Sequence, residues 1–182
     1  MLYARKLNED AWFDNSSDKN EHHIDSDSAT DLQTKGHELS VWQVSDDKHN
    51  IDDIALAIAL TRNEVKGFYL ALLNPINLKS NFDWDVAINE QKGKSVINIY
   101  NDEHRNFMVY TLDEIGFLAT QIHKQYLSSS DFVYYSETKL TMLLSKAIEN
   151  KILEANELKS NNLKKWATAY EKYKSSLEVP SK

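Results

Sequence analysis

The sequence predicts an α/β or α+β domain: a small mixed sheet of three to four strands with flanking helices, followed by a helical C-terminal extension. Two runs of strand character, at 38–44 and 67–73, bracket an apolar stripe at helical spacing over 51–64. The last third shows helical periodicity almost throughout. With 41% hydrophobic and 27% charged residues among 182, the chain has the material for one real core. The sheet domain is expected over 1–126 and the helical extension over 127–182.

Residues 2–7 alternate loosely and suit a short strand, with Trp12 and Phe13 as an apolar anchor after it. Segment 14–38 is irregular and acidic, and Ile24 and Leu32 are its only large aliphatic residues. It lacks the apolar surface to offset an ordering cost of about 1–2 kcal/mol per residue. A helical turn capped by Asp27 or Ser28 over 27–33 is its one candidate element. Glu38–Val44 then alternates with period two, with Leu39, Val41 and Gln43 on one face and Ser40, Trp42 and Val44 on the other.

Asn50 suits a helix N-cap, with Asp52 and Asp53 in the first turn, and Ile51, Ile54, Ala55, Ile58 and Ala59 form the buried stripe. Gly67–Leu73 is continuously apolar and stopped by Asn74-Pro75, as a strand buried on both faces would be. Two strand–helix–strand passages favour at least one parallel pair. Over 76–110 a loop at Gln91-Lys92-Gly93-Lys94, a helix over 95–104 and a strand at 107–110 are expected. Thr111-Leu112-Asp113-Glu114 reads as a capping box opening a helix to about 126. Phe132–Tyr135 reads as an apolar link, and Ser136 or Glu137 opens the next helix. Leu163, Trp166, Tyr170, Tyr173 and Leu177 then recur at steps of 3, 4, 3 and 4, the signature of a packed seam.

The net charge of −7 is uneven. Residues 1–53 hold 13 acidic and 5 basic side chains, whereas 139–182 hold 9 lysines and 5 glutamates. Only three arginines, Arg5, Arg62 and Arg105, stand beside 18 lysines. Acidity argues against general nucleic-acid binding, and arginine scarcity against anion recognition. The absence of cysteine removes disulfides, zinc–thiolate sites, iron–sulfur clusters and cysteine nucleophiles. No apolar run reaches membrane-spanning length and the start lacks a secretory signal, so a soluble, cytoplasmic chain is expected.

His22, His23, Asp25 and Asp27 form the most metal-like cluster, but on a polar loop nothing fixes them, and a solvated segment is the competing explanation. Asp46, Asp47, Asp52 and Asp53 flank a strand-to-helix junction where four carboxylates could bind a divalent cation, but capping and the helix dipole use Asp52 and Asp53 completely and are the favoured explanation. No Gly-rich phosphate loop, G-x-S-x-G or H-E-x-x-H motif occurs, so no cofactor is called for. A helix–turn–helix over the helices at 112–127 and 137–154 has too long a link, about nine residues against the usual 3–4.

The leading expectation is a non-enzymatic interaction or regulatory subunit of bacterial type, acting through a protein partner or by self-association. Its contact surface would be Leu163, Trp166, Tyr170, Tyr173 and Leu177, because aromatic anchors are enriched in interface cores. The same stripe could instead dock on its own chain. The alternatives are a metal-dependent or acid–base enzyme using segment 22–53, and a DNA-binding regulator using the basic C-terminal helices.

Overall fold

The computed structural model describes residues 1–8, 12, 26–128 and 131–177. Six strands form one sheet: β1 (Leu2–Leu7), β2 (Glu38–Val44), β3 (Phe68–Leu73), β4 (Ile88–Glu90), β5 (His104–Met108) and β6 (Phe132–Tyr135). Their order is β4-β5-β2-β1-β3-β6, and every neighbouring pair is antiparallel. The expected three to four strands and the expected parallel pair are therefore both corrected. β2 and β3, joined through a helix, do run in the same direction, but β1 lies between them and opposes both. β4 has only 3 residues and β6 only 4, too short to carry a strand pattern of their own. The stretch read as a link at 132–135 is thus an edge strand, which takes the sheet past residue 126.

Seven α-helices cover the sheet among the described residues: α1 (Ser26–Asp31), α2 (Ile51–Ala59), α3 (Pro75–Phe82), α4 (Leu112–Ser128), α5 (Glu137–Glu149), α6 (Ala155–Ser160) and α7 (Lys164–Leu177). A 3-10 helix at Asn98–Glu103 stands where part of the 95–104 helix was expected, and β5 begins three residues before the expected strand. Local chemistry explains several starts. The Glu114 amide donates to Thr111 Oγ1 at 3.2 Å while Glu114 Oε2 accepts from the Tyr110 and Thr111 amides, completing the capping box. Ser136 Oγ accepts from the Lys139 amide at 3.1 Å, and Asn74 Oδ1 caps α3, whose first residue is Pro75. Asn50 does not cap α2 with its side chain; its Oδ1 instead accepts from Ser45 N and Ser45 Oγ, both at 2.9 Å.

Period-two alternation divides the sheet residues between two cores. Ala4, Trp42, Val44, Leu70 and Leu72 face α2, α5 and α7, while Tyr3, Leu39, Val41, Ala71, Leu73 and Phe107 face Leu78 of α3 and Leu118 and Ile122 of α4. Full burial of each Leu, Val, Ile or Phe stabilises the fold by about 1.5–3 kcal/mol, which explains why β3, apolar on both faces, sits inside the sheet. Segment 26–38 is more ordered than its polarity predicts: α1 forms, and Leu32 is fully buried in the second core. The C-terminal helices share the first core with the sheet, through Leu140, Leu144, Leu158, Leu163, Trp166 and Tyr170.

Candidate functional site

One corner of the first sheet face escapes the helices. Trp42 and Val44 are buried in the first core, but Ser40, two residues earlier on the same face of β2, is exposed. β1 pairs with β2 only from Leu2 to Ala4, so the strands part at Arg5 and the unpaired Ser40 carbonyl takes a hydrogen bond from Arg5 Nη1 at 3.0 Å. The result is a cleft of about 420 Å³. Lys6, Ser40, His104 and Asn106 form its floor, Thr61 and Arg62 beyond the end of α2 form one wall, and loop 91–94 forms the other.

The cleft is lined by Arg5, Lys6, Lys35, Arg62, Lys92 and Lys94, against a single carboxylate, Glu38. Among the described residues only Lys92 of these cations has an ion pair, with Asp102 at 3.0 Å. Arg5 donates to two backbone carbonyls, those of Ser40 and Asp31, and its Nε is buried with no partner among the described residues. Burial pushes the Arg5 guanidinium below its ordinary value; Asp31 works against this and Arg62 adds to it. Burial also lowers Lys6, with Arg62 and Arg5 lowering it further and Glu64 and Asp31 working against them. Cations that outnumber the carboxylates among them cost free energy that a bound anion would recover.

Ser40 and His104 meet diagonally across β2 and β5, where Ser40 pairs with Asn106 and Trp42 with His104. Ser40 Oγ lies 2.7 Å from His104 Nε2, and His104 Nδ1 lies 2.9 Å from the Gln91 carbonyl. A carbonyl only accepts, so Nδ1 carries the proton and Nε2 accepts from the Ser40 hydroxyl. Burial lowers His104 below its ordinary value, outweighing the Gln91 bond, which raises it; at neutral pH the ring is an uncharged base. The wall bearing Lys92 and Lys94 is held by Asn101, whose carbonyl accepts from Gly93 N at 2.8 Å and whose Oδ1 accepts from Ser95 N at 2.8 Å. Gly93 is needed there: a Cβ would lie 2.6 Å from the Trp42 ring.

These groups come from separate segments of the chain, around residues 5–6, 35–40, 61–62, 91–94 and 104–106, and no motif joins them. Two of the three arginines meet here, so their scarcity, read above as an argument against anion recognition, conceals their concentration. The stripe offered as a contact surface is divided. Leu163, Trp166 and Tyr170 are buried in the chain's own core, Tyr173 is half-buried, and Leu177 is exposed. Trp166 Nε1 donates to the Arg62 carbonyl at 2.9 Å and Lys165 N to Asn63 Oδ1 at 2.8 Å, so α7 holds the segment that walls the cleft.

His22, His23 and Asp25 lie outside the described residues, and of Asp27 only the backbone, within α1, is described. The four junction aspartates diverge. Asp46 approaches the Met1 amino group at 2.6 Å and Asp47 the His49 ring at 2.7 Å. Asp52 accepts from Tyr135 Oη at 2.7 Å and pairs with Lys139 at 3.0 Å. Asp52 is therefore engaged by side chains of β6 and α5, which helix capping alone does not explain. Among the described residues no three His, Asp or Glu side chains are grouped to hold a metal, and no helix is long and apolar enough to cross a membrane. No known family model, curated protein or solved structure gives a significant match to this chain.

Proposed function

We propose that the chain is an interaction module that holds a protein partner by an anionic segment, acidic or phosphorylated, seated in the cleft between β2, β5 and α2. The observation that carries this reading is the gathering of six cations around one carboxylate in a chain whose net charge is −7. Arg5 and Lys92 also serve the fold, through the Ser40 and Asp31 carbonyls and through Asp102, but Lys6, Lys35, Arg62 and Lys94 form no ion pair among the described residues. An incoming carboxylate or phosphate gains charge-assisted hydrogen bonds from guanidinium and ammonium groups already in place. A duplex nucleic acid fits less well, because it requires phosphate contacts along an extended basic surface.

The reading is tested by calorimetric titration of a phosphoserine-containing acidic peptide, the same peptide with serine, and a short DNA duplex. The phosphopeptide should bind, its affinity should fall as salt rises, and the double substitution Arg5→Gln/Arg62→Gln should remove most of the heat. Binding of DNA in preference to either peptide, or binding unchanged in the double variant, would refute it.

A further inference from the structure

We propose that Ser40 is a nucleophile activated by His104, and that the cleft hydrolyses acyl esters whose leaving alcohol carries an anionic group. The substrate class rests on the anion-binding reading above; the reactivity of Ser40 does not. Three observations converge. Ser40 is exposed to the cleft, and its hydroxyl hydrogen points at His104 Nε2 across 2.7 Å. The Gln91 carbonyl fixes the imidazole tautomer from behind at 2.9 Å, the orienting role that a third group plays behind a catalytic base. The Trp42 ring stands edge-on to His104 with centroids 5.2 Å apart, holding a ring that is itself only 9% exposed.

In the first step Ser40 Oγ bonds to the ester carbonyl carbon while its proton passes to His104 Nε2. The tetrahedral oxyanion forms within the cationic lining. The carbon–oxygen bond to the alcohol then breaks, His104 returns the proton to the departing alkoxide, and an acyl ester remains on Ser40. Water, deprotonated by His104, attacks that ester; the proton passes back to Ser40 Oγ as the carboxylic acid leaves. Atoms and protons balance with no oxidant, reductant or metal. The anion on the alcohol is held by Arg5, Lys6, Arg62 or Lys94 until it departs.

The test uses two readouts on the full chain. A fluorophosphonate probe followed by peptide mass spectrometry reads nucleophilicity alone. Hydrolysis of 4-carboxyphenyl acetate beside neutral 4-carbamoylphenyl acetate reads the substrate class. The expected results are an adduct on Ser40 that is lost in Ser40→Ala, and turnover of the carboxylate ester roughly 100-fold or more above that variant. Its acid limb should lie below the ordinary histidine value of about 6.5. The preference for the charged ester should disappear in Arg5→Gln/Arg62→Gln. His104→Gln should abolish the adduct, and Ser40→Ala, a change at an exposed position, keeps the test valid if His104→Gln unfolds. No adduct on Ser40 in a folded protein that still binds phosphopeptide would overturn this inference and leave the recognition reading standing. An adduct with equal turnover of both esters would overturn the anionic substrate class.

Discussion

His104 shows how one residue's environment sets its chemistry. A ring pushed below its ordinary value by burial binds fewer protons folded than unfolded. Its contribution to stability is therefore complete above about pH 6.5 and is lost as pH falls through its lower folded value. In His104→Gln, denaturant midpoints measured between pH 7 and 5 should fall less steeply than in the wild type; an equal slope would remove this assignment. Gly93 makes a second claim at this scale. A Cβ there meets the Trp42 ring at 2.6 Å and Asn101 Oδ1 at 2.7 Å, so Gly93→Ala must displace the loop bearing Lys92 and Lys94. Overpacking of this kind costs about 1–3 kcal/mol. Thermal unfolding should show that loss together with weaker phosphopeptide binding.

Among the elements, α7 carries the clearest expectation. Trp166 is fully buried and donates to the Arg62 carbonyl, so Trp166→Ala should cost about 3–5 kcal/mol in denaturant unfolding. Trp166→Phe keeps most of the apolar contact and loses the hydrogen bond, so it should weaken anion binding by more than its smaller stability loss implies. The tyrosines that tie α2 to its neighbours give an alkaline test. Burial, followed by its bond to Asp52, raises Tyr135, and burial with Asp53 beside it raises Tyr100 to about 12. Both stay protonated in the folded state, so their stabilisation is complete below the ordinary value of about 10 and is lost as pH rises above it. Absorbance titration should find them ionising only with unfolding, and Tyr135→Phe should flatten the alkaline decline.

What was legible in the sequence at this scale followed from periodicity. The alternation of β2 assigns Ser40 and Trp42 to one face and Leu39 and Val41 to the other, and the Thr111–Glu114 box marks the start of α4. β4, β6 and α6 were not legible, because elements of 3 to 6 residues are set by what they pack against. The cleft was invisible for a related reason. Arg5, Ser40, Arg62 and His104 stand on separate elements, and only the antiparallel pairing of β5 with β2 and the parting of β1 from β2 bring them together.

The whole molecule sets an acidic chain around a cationic corner. Such a field favours an anion that fits the corner and repels a polyanion approaching elsewhere. It also assigns the aromatic terminal helix a role other than direct contact: α7 completes the first core and steadies Arg62, leaving Tyr173 and Leu177 at its surface. The most direct test maps amide shifts in nitrogen-15 spectra as a phosphoserine-containing acidic peptide is added to the intact chain. The account predicts shifts concentrated at Lys6, Ser40, Thr61, Arg62, Lys92–Lys94 and Asn106, absent in Arg5→Gln/Arg62→Gln. Shifts centred instead on Tyr173 and Leu177, with the cleft unperturbed, would contradict it.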